Sequence, residues 1–578
     1  MLSASALAKS DQTAAVDETW SLLLHVWQGQ PQIQHPQFLL SADHFSAAAE
    51  QAKTVALFRQ DPYRAFCRFP ARLTYLAAQQ QLTLPADRWS HCPELQKFLD
   101  HVPFSTLELV YASEVLSSAS SMLGHIFIKA SGQNQRGVEV AHSLAYFTEI
   151  TTLNPVRLLI ESTVTGMPGF FSVRPFQKDL RQYRDVEQRN LWQFQLTASA
   201  ERRQLLQLHI WELHQIDLTY YFQSFNCATL TLEMLALLAP DLLQQRGNIV
   251  SPADVVKAVS QQHLVQSTLI EPAQPWLFYA MADSMPAAVV QQLDQVTSKA
   301  DLTAAHFALQ HPLAGPYTDI RLQRLVAQQQ LSVDEARQIR QALPVFAAPQ
   351  LDLSRYKHPA LTPQDSAIAL SWQQDEAGNQ LLFDWLPAGH WLSGDNRQYL
   401  AESELLIGHT RLALAPDRMT LRLQELALYS VRALTPDSQA FPVWSGELYL
   451  GYRPVYQPEP GRSSRGEIAA AGGKSYRLHP DVIGYGLAGA GVSSSWRHSQ
   501  AFLYAKTGLL FELAADSKLQ LQYMRHSGQE RGASAYQQFE ATLSWFGQQD
   551  QAVHWQWSRV IGQTRADNQL TLRFVQFY

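Results

Sequence analysis

Hydrophobic patterning divides the chain into two regimes that meet near residue 365. Up to about residue 100, apolar positions recur at helical spacing: Trp20, Leu23, Leu24 and Trp27, then Phe45, Ala48, Ala52 and Val55. From 104 to 150 the pattern shortens to β-rich runs over residues 107–112, 125–130 and 138–147. Gly132 and the polar turn 133–136 separate the last two, which predicts a hairpin. Residues 153–166 and 199–238 read as helical again, with strands over 170–173 and 192–196 between them. Helices with a small sheet make an α+β domain. Further helical segments follow between 250 and 345, including 285–296 and 333–343. The second opens at Ser332 with Glu335 three residues on, a capping box.

Beyond 365 the period becomes two. Leu519, Leu521 and Tyr523 alternate with Lys518, Gln520, Gln522 and Met524; Phe539, Ala541, Leu543 and Trp545 alternate with Gln538, Glu540, Thr542 and Ser544. Val553, Trp555 and Trp557 alternate with His554, Gln556 and Ser558. About twelve such strands are expected, each near ~10 residues, and the last runs to the aromatic end Phe577-Tyr578. A strand ending on an aromatic residue resembles outer-membrane barrels, so an all-β antiparallel transmembrane barrel is expected over 365–578. A soluble sandwich with one wet face shares the alternation. Gly484 to Gly491 then read as barrel glycines, not as a nucleotide loop.

Length sets two to four domains. The expected division is a leader over 1–14, a helical domain over 15–100, an α+β domain over 101–270, a helical spacer over 271–347, a linker over 348–364 and the barrel. Ala6-Leu7-Ala8 has the small-x-small form of a signal-peptide cleavage site, without the charged and apolar regions that precede one. The start therefore reads either as lying inside a truncated signal peptide or as a flexible leader. The net charge of −6 and the lack of a basic run argue against a nucleic-acid partner. No apolar stretch approaches the ~18 residues of a membrane-spanning helix.

Cys227 is the chemical lead. It opens a helical run after Asn226, where free backbone N–H groups and the helix dipole favour a thiolate. His125 opens a strand a hundred residues earlier and is the candidate base. Cys67 and Cys92 would pair in an oxidising compartment and close a loop worth roughly 3 kcal/mol. The competing reading is three buried cysteines in a cytosolic protein. Arg64, Arg68 and Arg72 share helical spacing and read as a solvated face, with lipid phosphates as the sharper alternative. His209 and His214 are five apart and share no helix face, and no metal site or cofactor is expected.

The order His before Cys, with Asn-Cys at a helix start, resembles the circularly permuted branch of NlpC-type papain-like hydrolases, which includes lecithin retinol acyltransferase. At family level the chain resembles the Lnb N-terminal periplasmic domain. The residues that carry this are Tyr111-Ala112-Ser113, Ser121-Met122-Leu123-Gly124-His125-Ile126-Phe127, Gly166-Met167-Pro168-Gly169, then Tyr183, Glu187, Arg189, Trp192 and Asn226-Cys227. Leu123 replaces a frequent phenylalanine. Upstream, Cys67-Arg68-Phe69-Pro70-Ala71-Arg72 and Cys92-Pro93 resemble the helical segment preceding that domain. The resemblance implies a permuted papain-like fold and a periplasmic thiol enzyme acting on acyl or amide bonds. The family's namesake is linked to N-acylation of bacterial lipoproteins and is anchored through helices.

On this reading Cys227 is the nucleophile, His125 the base and His142 the group that orients it, with Glu114 and Asn226 as weaker choices. Asn226, Ser121 and Gly124 are expected around the substrate or oxyanion. Glu187, Arg189 and Trp192 read as a structural ion pair and core anchor. Acyl transfer or hydrolysis on a lipoprotein, lipid or peptidoglycan substrate is expected, from the periplasmic side of the outer membrane. The alternative is a non-enzymatic barrel for envelope assembly, tethering or export, with an inactive papain-like binding domain.

Overall fold

The computed structural model describes residues 18–114, 123–149, 157, 160–346, 351, 356–376, 378–399, 402–417, 419–455, 463–495, 499–514, 516–528, 535–562 and 566–578. It divides into two compact units, 1–271 and 272–578.

The first unit opens with helices α1 (Ala47–Gln60), α2 (Pro62–Arg68), α3 (Pro70–Ala78) and α4 (Pro93–His101). Three of the four begin on proline, whose missing N–H costs nothing in a first turn. Asp61 ends α1 and caps α2, its side chain accepting from the Arg64 N–H. A sulfur–sulfur bond joins Cys67 to Cys92 and so ties α2 to the start of α4.

A seven-stranded antiparallel sheet follows: β1 (Thr106–Ala112), β2 (His125–Gln133), β3 (Glu139–Thr148), β4 (Met167–Pro175), β5 (Leu191–Leu196), β6 (Leu218–Tyr220) and β7 (Val265–Glu271), in the spatial order β6-β4-β3-β2-β1-β5-β7. Helices α5 (Ala200–His214), α6 (Cys227–Ala236) and α7 (Pro252–Gln261) complete the unit. Every residue of α6 is buried, which its apolar circumference allows. It packs on β2 and β3.

Two expectations change. The helical stretch 199–238 is broken by β6, which pairs with β4 through Met167↔Tyr220. Residues 265–271, where no strand was expected, form the edge strand β7 on β5. Such a strand is mostly exposed and has no apolar alternation to announce it.

Arg72 also departs from the solvated face. It is fully buried, its guanidinium stacked on Phe38 and Phe69 at 4.3 and 4.5 Å. Its Nη1 lies 3.1 Å from Glu50 Oε1 and its Nε 3.0 Å from Glu212 Oε2. Helix α3 turns this side chain inward against α1 and α5. Spacing alone could not say which of the three arginines does so.

The second unit starts with five helices, α8 (Gln274–Asp283), α9 (Ala287–Asp294), α10 (Lys299–Ala304), α11 (Ala314–Ala327) and α12 (Val333–Ala342). They share one core, in which Met281, Leu293, Val296, Tyr317 and Leu322 pack with Ala440 and Phe441 from a barrel connection. The Tyr279 hydroxyl donates to Pro436 O at 2.7 Å, and Arg477 on a barrel strand pairs with Asp283. No helix among the described residues is long and apolar enough to cross a membrane.

Twelve long strands, β8 (Ala367–Asp375), β9 (Gly378–Leu386), β10 (Glu402–Ala415), β11 (Thr420–Leu434), β12 (Ser445–Val455), β13 (Ser463–His479), β14 (Val482–Ser494), β15 (Ser499–Ala514), β16 (Ser517–His526), β17 (Tyr536–Gln548), β18 (Gln551–Ile561) and β19 (Ala566–Phe577), close into a barrel. Each pairs antiparallel with the next, and Ala367↔Phe577 joins the last to the first. The alternation read from sequence is the wall's two faces. Leu370, Phe383, Leu503, Leu543, Trp555 and Leu572 are exposed on the outside. Ser371, Asp384, Lys506, Thr542, His554 and Thr571 are buried inside. Trp385 and Trp545 lie toward the end that holds Ala367, and Trp372 and Phe539 toward the other. That is the aromatic girdle of a lipid-facing barrel. Leu543→Arg, midway along β17, is expected to cost about 2–4 kcal/mol in urea unfolding from lipid vesicles. Thr542→Arg, facing inward, tests the opposite side and should spare the lipid contact.

Candidate functional site

Cys227 is the first residue of α6, is 5% exposed, and is the free cysteine of the chain. Asn226 caps the helix. Its Oδ1 accepts from the Thr229 N–H at 2.9 Å and from the Thr229 hydroxyl at 3.2 Å; its Nδ2 donates to Phe222 O and Val250 O at 2.9 and 3.0 Å. With both amide donors and its acceptor engaged by the fold, the Asn226 side chain positions the cysteine. Six residues on, Glu233 anchors the same helix, accepting from His25 Nδ1 at 2.5 Å and pairing with Arg246.

The backbone N–H of Ile126 and the hydroxyl of Tyr220 face the thiol and act to hold its pKa down. The same hydroxyl accepts from the Cys227 N–H at 3.4 Å. Tyr220 escaped the sequence reading because β6 has only three residues and lies in what looked like continuous helix. Burial pushes the Cys227 thiol up, and the donors from Ile126, Tyr220 and Ala228 offset it only partly. The resting sulfur is therefore a neutral thiol. The thiolate expected at a helix N-terminus is overridden because desolvation of a fully enclosed charge outweighs a partial dipole.

This has a measurable sign. Iodoacetamide labelling of Cys227 in the folded protein is expected to have a midpoint above the ~8.5 of a free thiol, with the rate climbing as pH rises. Tyr220→Phe removes a donor to the sulfur and should move it higher still. A midpoint below that of a free thiol contradicts the buried neutral state.

His125 is the first residue of β2, adjacent to Ile126, so the backbone that meets the thiol also carries the imidazole. Gly124 precedes it with φ 86°, and a Cβ there would lie 2.7 Å from the Tyr111 ring. Glycine is therefore required for the turn into the strand. The His125 ring lies 5.9 Å from that of Tyr183 and 6.0 Å from that of Phe127. Its Nε2 is buried with no hydrogen-bond partner among the described residues. Burial, aided by Arg189 and Arg174, pushes its pKa down to about 3, so the ring is neutral. Side chains alternate along a strand, so the His125–Phe127 face is opposite the Ile126–Ile128 face that packs under α6. No described hydrogen bond joins imidazole and thiol.

In the resting protein, register keeps His142 apart from His125. His142 pairs with Ala130, five residues along β2 from His125, and an odd separation puts the two on opposite faces. There its ring lies 4.3 Å from that of His101. Glu114 accepts from the Tyr111 hydroxyl. Arg189 is fully buried, pairs with Glu187 at 2.9 Å and donates to Ala112 O at 2.8 Å, so it ties down the end of β1 beside His125. Trp192 is only partly buried, on β5. Ser121 lies outside the described residues. Among those residues no group of three His, Cys, Asp or Glu side chains is placed to hold a metal.

Comparison with known families fits these two units. Residues 94–262 match the Lnb N-terminal periplasmic domain. Residues 357–577 and 12–79 match two domains of unknown function, DUF7840 and DUF7843. Among curated proteins none matches the chain. Similar solved structures include the KdgM porin in complex with disordered oligogalacturonate, at 8% identity over 37% of this chain and 99% of that one with a TM-score of 0.24. An outer membrane channel from Pseudomonas putida F1 is 13% identical over 40% of this chain and 100% of that one, with a TM-score of 0.26. The transport unit of the autotransporter AIDA-I from Escherichia coli is 10% identical over 40% and 93%, with a TM-score of 0.24. Likenesses this distant speak to neither function nor mechanism. The closed barrel with its apolar exterior and the periplasmic-domain match make this an outer-membrane protein whose N-terminal domain lies in the periplasm.

Proposed function

We propose that residues 94–262 form a permuted papain-like thiol enzyme of the cell envelope, which transfers or hydrolyses an acyl or amide group of a lipoprotein, lipid or peptidoglycan substrate. The observation that carries this is the placement of Cys227 Sγ at the first turn of α6 against the N–H of Ile126, one residue from His125. In the working state the start of β2, where His125 sits, shifts so that the imidazole leaves Tyr183 and reaches the sulfur. The imidazole takes the thiol proton, sulfur bonds to the substrate carbonyl carbon, and the carbonyl oxygen takes over the Cys227 N–H from Tyr220. The C–O or C–N bond then breaks, and the imidazolium returns the proton to the leaving group. An amine or water attacks the thioester and frees the cysteine. Intact-protein mass spectrometry after incubation with labelled lipoprotein, phospholipid and stem peptide tests this. A hydroxylamine-sensitive acyl adduct on Cys227 supports it and names the donor.

The separation of thiol and imidazole in the resting protein favours a second reading, an inactive papain-like binding domain on an envelope-assembly, tethering or export barrel. Retention of labelled substrate with no adduct under any donor would select it.

A further inference from the structure

A twelve-stranded barrel is wider than the eight-stranded size that side chains alone can fill. Inside this one a cavity of about 320 Å³ remains, bordered by Arg432, Arg453, Lys506, Arg573, Glu404 and Glu540. Part of this charge is matched, Glu447 bridging Arg432 at 2.8 Å and Lys506 at 2.7 Å. Such a lining suits water and small ions.

The end of the barrel that holds Ala367 and Phe577 is filled differently. After β9, Ala388–His390 pair with Leu405–Ile407 of β10 and extend the wall, but residues 391–399 do not then turn tightly into β10, as 480–481 and 549–550 do between their strands. They enter the lumen instead. Trp391 is 5% exposed, its ring 6.0 Å from that of His409 and 6.2 Å from that of Phe577, with the Arg573 guanidinium 5.7 Å away. Leu392 packs with Leu434, Tyr485, Leu487 and Leu510. Those belong to β11, β14 and β15, so the segment reaches the far wall of the barrel.

Lys357 ties the outer part of the segment, pairing with Asp395 and donating its N–H to Arg397 O at 3.2 Å, and one buried cation holds the inner part. Lys518, on β16, donates from Nζ to Leu392 O at 3.2 Å and Gly394 O at 2.8 Å, and pairs with Glu402 at 2.6 Å. Asn396 reinforces the turn by donating to Leu392 O, Glu402 and Ser403 O. None of these bonds belongs to the strand ladder, so losing them need not unpair the wall.

We propose that the barrel is a stoppered channel: residues 391–399 are a plug latched by Lys518, and release of the latch opens a path for small hydrated ions. The function is independent of the thiol chemistry. Planar-bilayer recordings of the full chain in potassium chloride test it, with folding of each protein checked by heat-modifiable gel mobility. Wild type is expected to open rarely. Lys518→Met should raise the open probability by about tenfold, the weight of a buried charged hydrogen-bond set. Trp391→Ser combined with Leu392→Ser removes the wedge but leaves the latch, and should raise it as well. A wild type that is open most of the time overturns the proposal whatever the variants do. So does a folded Trp391/Leu392 variant as silent as wild type. Lys518→Met that opens no more often than wild type overturns the latch.

Discussion

Cys227→Ala is expected to abolish acyl-adduct formation and to cut turnover by roughly 10⁴-fold or more, the scale seen when a covalent nucleophile is removed. The fold should persist, because trading a buried thiol for a methyl costs no more than about 1–2 kcal/mol and leaves the Asn226 cap and the Glu233 anchor in place. His125→Ala should lose roughly 10²–10⁴-fold, the share of a general base. The two losses should not add, since each residue acts only through the other. Assays need the full chain in detergent or vesicles, with the labelled donor identified by mass spectrometry. Undiminished turnover in Cys227→Ala would sink the thiol mechanism outright.

Arg72→Met should unfold the first unit more readily than wild type by about 3–5 kcal/mol. The guanidinium stands between two carboxylates that are themselves wholly buried, Glu50 and Glu212. Glu50 also accepts from Leu40 N–H at 2.9 Å and from Ser41 N–H and hydroxyl at 2.7 Å; Glu212 accepts from Ala71 N–H at 2.8 Å and Arg72 N–H at 3.2 Å. Removing the cation leaves two carboxylates in a low-dielectric interior with nothing to balance them.

The pH dependence follows from the same burial. Desolvation already pushes Glu212 up to about 7 against the pull of Arg72. A carboxyl whose folded pKa exceeds its unfolded value binds more protons when folded, so its contribution falls as pH rises from the unfolded value through the folded one. Without Arg72 the Glu212 carboxyl moves further up, so the deficit of Arg72→Met should be largest above neutral pH and shrink in acid. Cys227 is the free thiol and is buried, so its reaction with a thiol reagent along a urea series reads the unfolding of this unit. A deficit that is small and flat with pH would show that the two carboxylates are stabilised without the arginine.

Much of the architecture follows from local pattern. Period-two alternation in residues such as Leu519 to Met524 needs only a membrane on one side and water on the other to become a wall, and about twelve strands were countable from it. The placement of Asn226 before Cys227 is likewise a local rule, since a side chain that caps a helix does so within three residues.

What sequence reading missed depended on partners far along the chain. His142 and His125 are close in sequence, yet strand register sets them on opposite faces. Tyr220 reaches the sulfur only because a three-residue strand joins the sheet edge. The thiolate expected at a helix start is a neutral thiol because enclosure, which no short window records, costs a charge more than the dipole returns. Arg72 differs from Arg64 and Arg68 by the turn of one helix against two others. Lys518 reads as one more inward polar residue until the segment after β9 is seen to meet it across the lumen. Alternation and capping act over a few residues and are written in the sequence by itself. Register, desolvation and the meeting of distant side chains are sums over the whole packed molecule, and the tertiary structure alone decided them.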